Sequence, residues 1–130
     1  MPENFNKLFC VGEYVTEFNL ATGQHLPCGP IYQSYGLMAH IQKRHPSEVS
    51  NLSYVPEIIS SPDYIGKHPK EPDSIELVKI LSGNIMVCIK LDRDENYLFV
   101  ASVFEISEGK LKNRINSGRL KKLTNHKMCE

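Results

Sequence analysis

Apolar and polar positions alternate most clearly between residues 74 and 106. Ser74 to Leu81 reads as one strand, and Ser82-Gly83-Asn84 as a tight turn. Ile85, Val87, Ile89 and Leu91 then alternate with Met86, Cys88 and Lys90, the period of a second strand. Asp92 to Asn96 is an acidic hairpin loop. Tyr97 to Ile106 is a long strand, apolar on both parities until Glu105, which suits a central or covered position. Three strands joined by short loops predict an antiparallel meander.

Upstream the period changes. Ile31, Tyr35, Met38 and Ile41 share one helical face. Pro30 can open such a helix and Pro46 must end it, giving about fifteen residues. Val55 to Ser60 predicts a shorter helix with Val55, Ile58 and Ile59 inward. Ser61-Pro62-Asp63-Tyr64 breaks that pattern, and Lys67 to Asp73, with two prolines, is a loop. Nearer the start, Leu8 to Val11 is a short apolar run and Gly12-Glu13 a turn. Tyr14, Thr16, Phe18 and Leu20 share one parity and predict a second short strand, before a loop over residues 21–30. Helices first and a meander after predict an α+β fold. N-terminal helices would pack on an antiparallel β-sheet built of the three-strand meander plus one or more additional strands.

With 130 residues, 41% hydrophobic and 23% charged, the chain reads as a single globular domain, residues 1–130. Its core spans about 7–123, and 124–130 read as a flexible tail. A chain of this size buries roughly two-thirds of its unfolded surface, so it needs no staples. Cys10, Cys28, Cys88 and Cys129 are widely spaced, without a Cys-x-x-Cys pair, and the first residues lack a signal-peptide pattern. These features predict a cytoplasmic protein in a reducing compartment. Apolar runs are too short for a membrane helix, so no membrane partner is expected. Net charge is zero, with 15 basic and 15 acidic residues. Residues 110–127, however, carry seven Lys and Arg and no acid, leaving −7 for the remainder. Such a run is either a solvated face or a phosphate-attracting one.

The helix ending at Pro46 carries the candidate chemistry. On a helix, Lys43 and Arg44 each lie within about 60° of His40. His45 lies about 140° from His40, although a helix end that unwinds before Pro46 could bring it round. Histidine can take or give a proton near neutral pH, and Lys and Arg can neutralise charge developing on a phosphoryl group. These are the groups that metal-free RNA cleavage needs. The same residues can instead satisfy the last carbonyls of the helix. Zinc on a helix wants His at i and i+4, whereas His40 and His45 are five apart, and His25-Leu26-Pro27-Cys28 has no matching second half. No Gly-rich phosphate loop is present, so neither a metal nor a cofactor is expected. Ser102 shares parity with Leu98, Val100, Phe104 and Ile106, where a hydroxyl is either satisfied by a neighbour or open to a cleft. Arg119 follows a turn at Gly118, where it is either a surface residue or a bidentate phosphate ligand.

Taken in order, the segments Ile31-Tyr32-Gln33-Ser34, His40-Ile41-Gln42-Lys43-Arg44-His45-Pro46 and Pro62-Asp63-Tyr64-Ile65-Gly66 precede the meander with its Ser102, and Ser117-Gly118-Arg119 closes the pattern. The chain thereby resembles the phage and prophage domains of the barnase–EndoU–colicin–RelE (BECR) nuclease-like superfamily, over about residues 7–123. The resemblance implies N-terminal helices on a four-stranded antiparallel sheet, and metal-independent RNA cleavage leaving a cyclic phosphate. His40 matches the helix histidine that moves protons, Lys43 and His45 the polar positions after it, Ser102 a strand hydroxyl and Arg119 a basic residue near the end. In these roles His45 partners His40, while Lys43 and Arg119 hold the phosphate. RNA, tRNA included, is the implied partner, with room for an inhibitor or phage protein partner. Two other functions fit the same fold, a catalytically inactive RNA-binding module and a phage protein-interaction domain. A barnase-like glutamate base is not evident in the sequence; Glu57 and Glu105 lack positional support.

Overall fold

The computed structural model describes residues 7–123, so the segment read as a flexible tail, 124–130, lies outside the described residues. The meander forms as its alternation predicts. Strands β4 (Ser74–Ile80), β5 (Asn84–Asp92) and β6 (Tyr97–Ile106) pair antiparallel in sequence order. They are the centre of a seven-stranded sheet. On one side lie β1 (Leu8–Tyr14) and β2 (Gly29–Ser34); on the other, the short strands β3 (Tyr64–Gly66) and β7 (Leu120–Lys122). The order is β1-β2-β6-β5-β4-β3-β7, and only β2 with β6 is parallel. Seven strands, rather than four, arise because the segment around Ile31 and the two short segments all add to the edges.

Each face of the sheet is covered. On one, Ile75, Leu77, Ile85, Val87, Ile89, Leu98, Val100 and Val103 pack with residues of the N-terminal helices, including Phe18, Ile41, Val55, Ile58 and Ile59. On the other, Val78, Met86 and Ile106 pack with Leu111 and Leu120. Among the described residues no helix is long and apolar enough to cross a membrane.

Three local expectations change. First, no second short strand forms over residues 14–20: Tyr14 ends β1, and α1 spans Thr16–Thr22. Phe18 is buried while Leu20 is 78% exposed, so the shared parity was not a shared face. Gly23 closes the helix at φ 79°, its N–H donating to the Asn19 carbonyl at 2.8 Å. The Asn19 side chain accepts from Tyr14 Oη at 2.7 Å and donates to the Leu26 carbonyl at 2.8 Å, tying α1 to the strand before it and the loop after it. Second, Gly12-Glu13 is no turn. β1 runs through with a register shift between Cys10 and Gly12, and a Cβ at Gly12 would lie only 2.6 Å from Ile59 Cγ2.

Third, the predicted helix from Pro30 begins later. Residues 29–34 extend as β2, with Ile31 buried, and α2 occupies Tyr35–Arg44. Ser34 sets the boundary, its hydroxyl accepting from Leu37 N at 3.1 Å. A 3-10 segment, Pro46–Tyr54, then leads into α3 (Val55–Ser60), whose inward residues are the predicted ones. The described part of the basic segment, residues 110–123, lies within the fold. Glu108–Asn116 forms α4, and Gly118, at φ 86°, turns the chain into β7.

Candidate functional site

Ser102, on β6, lines two clefts, and β6 is irregular beside it. Cys88 pairs with Ser102, but Ile89 pairs with Val100, leaving Ala101 as an extra residue. That bulge flips the parity. Ser102 therefore does not share a face with Leu98 and Val100, which lie in the helix-covered core, but with Phe104 and Ile106 opposite.

On one side of Ser102 lies a cleft of about 410 Å³ between α2 and β6, and His40 and His45 both line it. α2 ends at His45, whose backbone (φ −140°, ψ 65°) has left the helical path while its N–H still reaches the Ile41 carbonyl at 2.7 Å. That unwinding before Pro46 brings His45 into the cleft of His40. Glu48, from the 3-10 segment, lines the same cleft. Its Oε1 accepts from the Glu105 backbone N–H at 3.2 Å and from Asn51 Nδ2 at 2.5 Å.

On the other side lies a cleft of about 210 Å³, lined by His68, Glu76, Cys88, Lys90 and again Ala101 and Ser102. Glu76, Cys88 and Ser102 belong to one row across the sheet. Leu120 is in register with Gly66, Gly66 with Glu76, Glu76 with Cys88, and Cys88 with Ser102. Glu76 and Ser102 are thus two strand spacings apart, roughly 10 Å. Glu76 is 1% exposed, and Arg119 neutralises it with a fork: Nε to Oε1 at 2.9 Å and Nη2 to Oε2 at 2.6 Å. This bond is the largest cause of the raised Arg119 pKa. Gly66 permits the approach, since a Cβ there would overlap the Arg119 carbonyl oxygen. Burial pushes the Cys88 thiol pKa up, opposed in part by a hydrogen bond with Ser102. His68 Nδ1 accepts from Lys70 N at 3.0 Å, which leaves Nε2 to carry the proton in the neutral ring.

The structure thus brings His40, His45 and Ser102 to one cleft. Arg119 lines neither cleft and is committed to Glu76, with no hydrogen bond on its Nη1 among the described residues. Lys43 is exposed on α2 and lines neither cleft. Two residues escaped the sequence reading. Glu76 had a legible signal, as the one charged residue inside the apolar run Ile75-Glu76-Leu77-Val78. His68, in a proline-bounded loop, had none. Among the described residues no group of three or more His, Cys, Asp or Glu gathers as a metal site would require.

A family model described as phage-Barnase-EndoU-ColicinE5/D-RelE like nuclease3 matches residues 10–113. The matched span holds His40, Lys43, His45, Glu76 and Ser102 and stops before Arg119. Comparison with curated proteins and with solved structures gives no match.

Proposed function

The chain belongs to this BECR nuclease-like family, and from that premise we propose that it is a ribonuclease of phage or prophage origin, acting in the cytoplasm without a metal ion. The observation that carries the proposal is the shared wall at Ser102. Two histidines stand on one side of it, and Glu76, neutralised by Arg119, lines the cleft on the other.

His40 takes the proton of the ribose 2′-OH as that oxygen attacks the adjacent phosphorus. The O2′–P bond forms, the P–O5′ bond breaks, and His45 returns a proton to the leaving 5′-oxygen. The product is a 2′,3′-cyclic phosphate. The Ser102 hydroxyl holds a phosphoryl oxygen, while Arg119, which lines neither cleft, neutralises the buried Glu76. Lys43 and Arg44, exposed beside His40, raise the positive potential at the entrance.

The test is RNA cleavage in EDTA over about pH 5–8, the range in which imidazole titrates, with the product end analysed. Wild-type protein should leave cyclic-phosphate ends, and His40→Ala should lower the rate by about 10²- to 10⁴-fold. Intact RNA throughout overturns the enzyme. RNA binding that weakens steeply with salt, without cleavage, would identify a silent RNA- or tRNA-binding module. A stable inhibitor or phage protein partner without any effect on RNA would identify an interaction domain.

A further inference from the structure

Five consecutive residues, Ala101 to Glu105, line the cleft of His40 and His45. Strand side chains alternate between faces, so a cleft that touches five in a row opens on the strand's backbone edge. β2 covers that edge of β6 only at Leu98 and Phe99. The Glu105 N–H points out of the edge, to Glu48. Amide direction alternates along a strand, so the Val103 N–H points the same way, about 7 Å back along the edge. No side chain or loop carbonyl of the described residues caps it.

A free edge amide in a cleft that two histidines also line is a place for an anion. The neighbouring amide already holds one, the Glu48 carboxylate. An added peptide strand fits less well. It needs successive free amides along an edge, whereas here β2 ends the opening on one side and Glu48 on the other. The charged groups facing the position are His40, His45, Glu48 and Glu105. Glu48 is tied by two donors, and the Glu105 carboxylate lies against Gly83 at the β4–β5 turn.

We propose that the Val103 N–H, with His40 and His45, forms an anion hole that receives a non-bridging oxygen of a phosphate. That the phosphate is the scissile one rests on the ribonuclease proposal; that the hole binds a phosphate does not. The test is a titration of the isotope-labelled full chain with inorganic phosphate near pH 6, against sodium chloride at equal ionic strength. The Val103 amide proton should move downfield and saturate, together with the His40 ring signals, and His40→Ala should weaken the binding. A Val103 amide that stays still, or moves equally in chloride, overturns the hole. Val103→Pro removes this donor without removing a ladder bond, and RNA cleavage should fall about 10²-fold or more. A phosphate response without RNA cleavage would refute the ribonuclease and leave the hole. Cleavage with an unmoved Val103 amide would do the reverse.

Discussion

Replacing Arg119 by Ala should destabilise the fold far more than a surface change would. The Glu76 side chain is 2% exposed and the Arg119 side chain 21%. Two charge-assisted bonds, at 2.9 and 2.6 Å, join them. Removing one partner of a buried pair costs about 3–5 kcal/mol, because the remaining charge stays buried. The Arg119 side chain is itself 21% exposed, so the lower end applies, about 3 kcal/mol. For a domain of this size that lowers Tm by roughly 10 °C. Arg119→Lys should fall between, since an ammonium keeps the charge but cannot form the fork. Adding Glu76→Gln to Arg119→Ala should recover about half the loss, because an amide is cheaper to bury than a carboxylate. Urea unfolding followed by circular dichroism measures each difference, provided the m-value is unchanged. A loss below about 1 kcal/mol for Arg119→Ala, or a double variant no better than the single, would refute the claim that Arg119 compensates the burial of Glu76.

Ser34→Ala should cost about 1 kcal/mol in the same assay, the usual value of an N-cap; because this cap starts the helix that carries His40, RNA cleavage should fall with it. Burial, and secondarily the charge of Cys28, raises the Tyr14 pKa well above its ordinary value near 10. The stability this represents is complete below about pH 10 and is lost as pH rises toward the folded-state pKa. Tyr14→Phe should therefore be weaker by about 1 kcal/mol near neutrality, through the lost bond to Asn19, yet lose less stability between about pH 9 and 11 in urea melts. Of the described cysteines, exposed Cys10 and Cys28 should react with a thiol reagent near pH 8, while Cys88, with its raised pKa, should react only on unfolding; peptide mapping of the labelled sites checks this.

The boundaries legible in the sequence were those set by local chemistry. The meander came out with Tyr97–Ile106 intact, because alternation along a strand and the Ser82-Gly83-Asn84 turn are local signals. The short helix Val55–Ser60, with its three inward residues, was equally local. Where local signals conflicted, partners decided. Ile31, Tyr35 and Met38 fit a helical stripe, yet Ile31 extends because β6 offers it a parallel neighbour at Leu98. Tyr14 to Leu20 alternates like a strand, yet from Thr16 it coils because Asn19 and Gly23 close a helix there.

The candidate site divides in the same way. His40, His45 and the stop at Pro46 were written in one continuous segment, so their closeness followed from helix geometry and an unwound end. The isolated acid in Ile75-Glu76-Leu77-Val78 was visible, but its counter-charge was not. Arg119 stands 43 residues away and reaches Glu76 only because β3 lies between β4 and β7. The bulge at Ala101 was likewise invisible, since one extra residue in an apolar run leaves no mark on composition. What the sequence determined by itself was the α+β class, the meander and the histidine pair. Tertiary structure alone decided which face Ser102 takes, which charge neutralises Glu76 and which backbone edge stays open, because each depends on strands brought together from distant parts of the chain.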